Sequence, residues 1–322
     1  MDIADRKEMR IFSGSHNLEL AEEVAELLGV SLGRLNKSTF SSGELYARVG
    51  ESVRGFDCFV FQSHSFPIND AVMEQLIIID ALRRASARRI TAVMPYYGYC
   101  RQDKKVLPRE PITARLMGDL YIAAGADRLV SVDLHTGQLQ GFITKPFDHL
   151  TAIPIISEYL STVTSGDVTI VSPDAGGGKR AEKYARQLDA DVALVYKRRD
   201  DHVHNFSEAL AVTGDVEGRH AVIVDDIIDT AGTVCNAAEL IRDMGAASVR
   251  IAATHAVLSD QAVKRLSESE VDEIVVTNTL PVPAAEEIDN LKVLSIASIV
   301  AMSVHAIFTE GSVSQIFLGE NA

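Results

Sequence analysis

Residues 221–233 read Ala221-Val222-Ile223-Val224-Asp225-Asp226-Ile227-Ile228-Asp229-Thr230-Ala231-Gly232-Thr233. An apolar strand runs into two acids and then a turn of small and hydroxyl residues. A helix follows, with Val234, Ala238 and Ile241 on one stripe. In an open α/β sheet, ligands collect at the carboxyl ends of strands. Thr230 to Thr233 would set backbone N–H groups, two hydroxyls and a helix N-terminus around one anion, which suits a phosphate monoester. Gly232 permits close backbone approach, and Asp225 and Asp226 are placed to accept hydrogen bonds from vicinal hydroxyls. The plainer alternative is an ordinary strand–turn–helix in which Asp229 and Thr230 cap the helix.

Working outward, β-branched apolar runs alternate with amphipathic helical patterns along the whole chain. Candidate strands lie at 58–61, 90–94, 129–132, 168–171, 192–196, 221–224, 249–253 and 274–277. Both faces of such runs are apolar, as in parallel strands covered by helices. The helix expected over 70–85 carries Val72, Leu76 and Ile79 on one stripe, capped by Asn69 or Asp70. The fold class is α/β of doubly wound type. A helix, a small-residue turn and a strand recur at Arg84-Ala-Ser-Ala, Ala124-Gly-Ala-Asp and Gly245-Ala-Ala-Ser. Reuse of small residues at helix ends explains this more simply than duplication. With 322 residues, two domains are the natural expectation, with a boundary near 151–154.

The net charge of −14 argues against a general nucleic-acid binder, although local donors or a metal can still receive an anionic substrate. Cys58, Cys100 and Cys235 lie far apart, so neither a disulfide framework nor a zinc pattern follows. The charged start lacks a signal-peptide stretch and no apolar run reaches membrane length, so a cytoplasmic protein is expected, with neither membrane nor nucleic-acid partner.

Other segments carry possible chemistry. Val168-Thr-Ile-Val-Ser-Pro-Asp174-Ala-Gly-Gly-Gly-Lys-Arg180 is a strand entering a glycine-rich turn. It is not a Walker A loop, because Arg180 stands where Ser or Thr would bind the metal; a structural glycine turn is its competitor. Tyr196-Lys-Arg-Arg-Asp-Asp carries three consecutive cations, which read either as a solvated loop or as charge aimed at phosphates. Val130-Ser-Val-Asp-Leu-His135 ends a strand with an acid and a histidine. Tyr99-Cys-Arg-Gln-Asp-Lys-Lys begins a polar loop, and Phe40, read alone, would be a core residue.

The 225–233 segment resembles the phosphoribosyl pyrophosphate loop of type I phosphoribosyltransferases. Phe40-Ser-Ser-Gly-Glu-Leu, Glu51-Ser-Val-Arg-Gly, Ala81-Leu-Arg-Arg-Ala-Ser-Ala, Tyr99-Cys-Arg-Gln-Asp-Lys-Lys, Arg109-Glu-Pro-Ile-Thr-Ala, Val132-Asp-Leu-His and Val171-Ser-Pro-Asp narrow the match. Over nearly its full length the chain resembles the ribose-phosphate pyrophosphokinases of the bacterial class I type.

The resemblance implies two similar phosphoribosyltransferase-like domains, 1–152 and 153–302, each a mostly parallel sheet flanked by helices, with a tail at 303–322 packing back on the first. It implies transfer of the β,γ-diphosphoryl group of Mg-ATP to the C1 hydroxyl of D-ribose 5-phosphate. By the same resemblance, Lys197 and Arg199 are catalytic, and Phe40, Glu44, Arg101, Gln102 and His135 receive ATP. Asp225, Asp226, Asp229, Thr230, Ala231, Gly232 and Thr233 receive ribose 5-phosphate, and His135 and Asp174 contact Mg²⁺. Ser52, Arg54, Ser312 and Ser314 fall in regulatory segments, with phosphate an activator and ADP an inhibitor. A homo-hexamer is implied, with active sites at subunit interfaces. The chain departs from common family patterns at Ser42, Leu107, Pro108, Ala175, Gly178, Lys179, Asp200 and 202–206. A phosphoribosyltransferase consuming the same product, and a non-catalytic regulatory subunit, are the alternatives; release of AMP from ATP and ribose 5-phosphate by the purified chain separates them.

Overall fold

Most of the apolar runs become parallel strands, because residues apolar on both faces are stable only when helices cover both sides of the sheet. The computed structural model describes residues 7–199 and 208–317, and they divide into two compact units.

Unit 1 takes in Met1–Thr151, Thr279–Pro281 and Ser295–Ala322. Its elements are β1 (Met9–Ser13), α1 (Leu18–Leu27), β2 (Leu35–Thr39), β3 (Leu45–Val49), β4 (Asp57–Phe61), α2 (Ile68–Arg84), β5 (Arg89–Met94), α3 (Thr113–Ala124), β6 (Arg128–Val132) and β7 (Phe147–Leu150). Five strands form a parallel sheet in the order β1-β4-β5-β6-β7. Strands β2 and β3 form a separate antiparallel hairpin.

Unit 2 takes in Ala152–Asn278 and Val282–Leu294. It contains α4 (Ile153–Val163), β8 (Val168–Ser172), α5 (Gly178–Leu188), β9 (Asp191–Arg199), β10 (Glu208–Thr213), β11 (His220–Ile228), α6 (Gly232–Asp243), β12 (Ser248–Ala256), α7 (Ala262–Glu268), β13 (Glu273–Thr277) and β14 (Leu291–Leu294). The seven-stranded order is β10-β9-β8-β11-β12-β13-β14. All neighbours are parallel except β10, which returns antiparallel along β9. The final helix, α8 (Ala297–Thr309), belongs to unit 1, where it packs on α1. The tail expected from residue 303 therefore begins inside a helix.

Several expectations need correction. The strands at Met9–Ser13, Leu35–Thr39, Leu45–Val49, Phe147–Leu150, Glu208–Thr213 and Leu291–Leu294 were not foreseen. All six are sheet edges or hairpin strands, where polar residues dilute the apolar signal. Helix α2 starts at Ile68 after Pro67, without a side-chain cap, so Asn69 and Asp70 lie inside its first turn. Its buried stripe includes Glu74 and Gln75, while Leu76 is half-buried. Burial of these polar groups is tolerated because each is bonded. Glu74 accepts from Ser15 N–H at 2.7 Å and Gln62 Nε2 at 2.6 Å, and Gln75 Nε2 donates to the Val60 carbonyl at 2.8 Å.

The recurrent small-residue turns are helix ends of one kind. Ser86, Gly125 and Gly245 all have positive φ (66°, 121° and 87°). In each case the next residue's N–H reaches back to a carbonyl five positions earlier: Ala87 to Leu82, Ala126 to Tyr121 and Ala246 to Ile241. That is the bonding that closes a helix through a left-handed residue.

Candidate functional site

In unit 2 the sheet reverses its winding between β8 and β11, because β9 lies on one side of β8 and β12 on the other side of β11. Such a switch point leaves a crevice at the carboxyl ends of the strands. The glycine-rich turn follows β8 and the 229–233 loop follows β11, so the fold brings both loops to this place. Strand β11 pairs with β8 only as far as Ile223↔Val171, but with β12 as far as Ile228↔Ala256. Asp225 and Asp226 therefore project past the end of β8. The sequence pattern ends this strand at Val224, since acids rarely continue a core strand; here they do so where one neighbour has stopped.

Helix α6 begins at Gly232. Its N-cap is Ala231 in the left-handed region (φ 62°, ψ −4°), and no side chain caps it. The capping role weighed for Asp229 and Thr230 is thus not what the loop does. Asp229 instead accepts a hydrogen bond from the Ser259 hydroxyl, and the Thr230 carbonyl accepts from Arg265 Nη1 at 2.6 Å. These bonds hold the loop from outside, so the first-turn N–H groups stay available for an anion. Arg265 carried no sequence signal, because its partner lies thirty-five residues away.

Asp225 and Asp226 share one guanidinium. Arg180, in the first turn of α5, places Nη1 2.8 Å from Asp225 Oδ1 and Nη2 3.0 Å from Asp226 Oδ1. Burial, then the neighbouring carboxyl of Asp226, pushes the Asp225 acid up to about 7 despite the opposing Arg180. Between the ordinary carboxylate range and that value, the folded chain holds a proton that the unfolded chain has lost. Stability from this group is therefore fully present at low pH and is lost as pH rises toward 7. Melting temperatures from about pH 5 to pH 8 should accordingly fall more steeply for the wild type than for Asp225→Asn; parallel curves would show that Asp225 ionises as an ordinary acid.

Asp174 is exposed, and its Oδ1 accepts the N–H groups of Gly176 (2.8 Å) and Gly177 (3.0 Å). One oxygen thus shapes its own turn. Gly177 is required there, since a Cβ would come within 2.5 Å of Ser172 Oγ.

Lys197 and Arg199 lie on β9, opposite Leu210 and Glu208 of β10; their side chains lie outside the described part of the structure, as do Asp200 and residues 202–206. The sequence ends this strand at Tyr196, but the pairing with β10 carries it through all three cations.

In unit 1, Arg101 and Gln102 follow β5 and His135 follows its neighbour β6; all three are exposed. The two loops are tied where the Thr136 hydroxyl donates to Asp103 Oδ2 at 2.9 Å. Gln102 is fixed at the start of α3, its carbonyl accepting from Ala114 N–H at 3.2 Å and its Oε1 from the Thr113 hydroxyl at 2.6 Å. Beyond it, the Glu110 carboxylate accepts the N–H groups of Val106 and Leu107 (2.7 and 2.8 Å), which hold its acid below the usual range.

Sequence reasoning missed the support beneath this loop. The buried His64 accepts the Gly98 N–H through Nδ1 at 2.8 Å, so its proton sits on Nε2, beside the Tyr121 hydroxyl (2.7 Å) and Gln75 Oε1 (3.1 Å). Burial lowers the ring to about 4, keeping it neutral.

Phe40 is not core. It stands at the tip of the β2–β3 hairpin, 56% exposed and edge-on to Tyr46, with Glu44 across the turn accepting from the Ser42 hydroxyl at 2.9 Å. Ser52, Arg54, Ser312 and Ser314 are exposed positions of unit 1, flanking the buried Val53 and Val313. Among the described residues, no three His, Cys, Asp or Glu side chains converge to hold a metal ion. No helix of the described residues is long and apolar enough to cross a membrane.

Comparison with known proteins bears on these groups. A family model described as the N-terminal domain of ribose phosphate pyrophosphokinase matches residues 9–125, and one described as the phosphoribosyl synthetase-associated domain matches residues 202–318. The chain is 52% identical to the ribose-phosphate pyrophosphokinase of Streptomyces avermitilis, over 97% of this chain and 96% of that one. It is 50% identical to that of Corynebacterium glutamicum, over 98% of both chains. The crystal structure of phosphoribosylpyrophosphate synthetase from Mycobacterium smegmatis superposes with a TM-score of 0.90 at 46% identity, covering 95% of this chain and all of that one.

Proposed function

The chain belongs to the ribose-phosphate pyrophosphokinases, and from that premise we propose how its residues divide the reaction. The enzyme transfers the β,γ-diphosphoryl group of ATP to the C1 hydroxyl of D-ribose 5-phosphate, giving 5-phospho-α-D-ribose 1-diphosphate and AMP. The observation that carries the assignment of residues is the α6 N-terminus without a side-chain cap, preceded on the same strand by two acids.

The 5-phosphate sits on the backbone N–H groups and hydroxyls of Thr230, Ala231, Gly232 and Thr233, where the helix dipole favours an anion. Asp229, whose carboxylate accepts from Ser259, completes the ribose 5-phosphate loop. Asp225 and Asp226 accept hydrogen bonds from the ribose 2- and 3-hydroxyls, fixing the direction in which C1 presents its own hydroxyl. In unit 1, Arg101, Gln102 and His135 bind ATP, and Phe40 and Glu44 receive the adenine of a neighbouring subunit; the exposure of Phe40 supports this. Such an arrangement calls for an oligomer, which we assign as the homo-hexamer implied by the class I resemblance. Ser52, Arg54, Ser312 and Ser314 form the effector segments, with phosphate as activator and ADP as inhibitor. The enzyme works in the cytoplasm.

His135 and the second carboxylate oxygen of Asp174 suit Mg²⁺, which prefers few protein ligands and keeps phosphate oxygens and water. When bound, the ion neutralises phosphate charge and polarises the transferred group. The chain's own share is positional. Lys197 and Arg199 meet the charge that develops as the β-phosphorus leaves the α-phosphate oxygen.

Release of AMP from ATP and ribose 5-phosphate, with no nucleobase present, tests the assignment; AMP release indifferent to ribose 5-phosphate would overturn it. The diol contact makes a further prediction. Replacing ribose 5-phosphate with 2-deoxyribose 5-phosphate should lower kcat/KM about 10- to 100-fold, the cost of leaving a charged acceptor without its partner. Equal kcat/KM for the two sugars would remove Asp225 and Asp226 from the sugar.

A further inference from the structure

Arg180 attracted notice in the sequence only as the residue that spoils a Walker A pattern. Its place in the fold gives it another meaning. It lies in the first turn of α5, directly after the glycine-rich turn, and reaches from that element to the end of β11. The guanidinium gives one nitrogen to each acid, Nη1 to Asp225 and Nη2 to Asp226, rather than both to one. Asp225 Oδ1 also accepts the Asp226 N–H at 2.8 Å. Both of these bonds fall on the same oxygen, so the second oxygen of Asp225 need not be spent on the guanidinium.

Burial and the neighbouring Asp226 carboxyl favour a proton on Asp225, and the charge that opposes this is Arg180. Without the guanidinium, no charge opposes the sharing of a proton between the two acids. A planar fork with a permanent charge serves here better than a flexible ammonium, because it fixes the spacing of the two oxygens it bridges.

We propose that Arg180 is the positioning residue for the sugar, holding Asp225 and Asp226 as a spaced pair of acceptors for the ribose hydroxyls while itself touching neither substrate. This rests on the reading that those two acids receive the diol. It separates Arg180 from Arg101, whose loss would weaken ATP binding, and from Lys197 and Arg199, whose loss would lower kcat.

The test is steady-state kinetics of AMP release by the full-length enzyme, varying each substrate at saturating levels of the other, for Arg180→Ala, Arg180→Gln and Arg180→Lys. Loss of the paired cation should raise the KM for ribose 5-phosphate about 10-fold or more in the Ala and Gln variants. The KM for ATP should stay within about twofold, as uniform binding of one substrate requires. Arg180→Lys should fall between wild type and Ala, since a point charge cannot span both acids. On an Asp226→Ala background, adding Arg180→Ala should change the ribose 5-phosphate KM by less than the single substitution does on wild type.

A rise in the ATP KM of equal size, a fall in kcat with both KM values unchanged, or wild-type behaviour of Arg180→Lys would each overturn the proposal. If Arg180→Ala does not fold, as judged by its melting curve, the Gln and Lys variants decide the matter by the same criteria. The underlying reading fails separately: in that case the wild type itself shows no preference for ribose 5-phosphate over the 2-deoxy sugar.

Discussion

Lys197→Ala lowers kcat about 100- to 1,000-fold while the KM for either substrate changes little, and Arg199→Ala does the same. Diphosphoryl transfer spreads negative charge over oxygens that were less charged in the ground state, so a cation acting only then shows in kcat. Removing one such donor costs roughly 2 to 3 orders of magnitude. The resemblance assigns a role to Lys197 and Arg199 but none to Arg198 between them, so Arg198→Ala should stay within about threefold of wild type. Single-turnover rates with saturating ATP and ribose 5-phosphate check this directly. Near wild-type turnover of a folded Lys197→Ala enzyme would return the three cations to the status of a solvated loop.

Asp57→Ala destabilises unit 1 by about 3 kcal/mol, because it removes the shared acceptor of two arginines from a buried position. Asp57 is 1% exposed at the start of β4. Its Oδ1 accepts from Arg88 Nε at 3.0 Å and its Oδ2 from Arg89 Nη2 at 2.6 Å. The same Arg89 nitrogen donates to the Ile307 carbonyl of α8 at 3.0 Å, while Arg89 Nε is buried without an acceptor. The guanidinium is therefore tied to the strand on one side and to the C-terminal helix on the other. Both arginines are partly exposed and can rehydrate, which holds the cost below that of a fully buried cation. Asp57→Asn keeps an acceptor and should cost roughly half as much. For a unit of this size the alanine variant should melt about 6–12 °C lower. A shift under about 2 °C would mean that water replaces the carboxylate at little cost.

The sheet cores were legible because their strands are apolar on both faces: Cys58–Phe61 and Ala221–Val224 announce themselves. The polar edges were not. Leu35–Thr39 and Phe147–Leu150 are strands through their neighbours' hydrogen bonds, which leave no trace in local composition. At the 225–233 loop, the residues proposed to meet ribose 5-phosphate were readable as a local pattern of acids, glycine and hydroxyls. Those that hold the pattern in place were not: Arg180 lies forty-five residues before Asp225, Arg265 thirty-five after Thr230, and His64 thirty-four before Gly98. Chemistry concentrated in one loop can be read from a short window; its support is set by tertiary contact and cannot. Resemblance carried Phe40 further than physics did, since an aromatic residue beside a strand reads as core until its exposure is known.

The return of α8 to unit 1 also fixes an order of events at the ribosome. Unit 2 has its last residue once position 294 is made, whereas unit 1, begun at position 1, lacks a helix until position 309. Chains emerge from the N-terminus and domains settle as their parts become available. The half that is synthesised first is thus finished last. Until then, the side of α1 that α8 will cover stays open, as does the Arg89 bond to Ile307. A nascent chain stalled before residue 297 would carry a complete second unit and an unfinished first one. Truncation at the C-terminus should accordingly injure the N-terminal half of the protein.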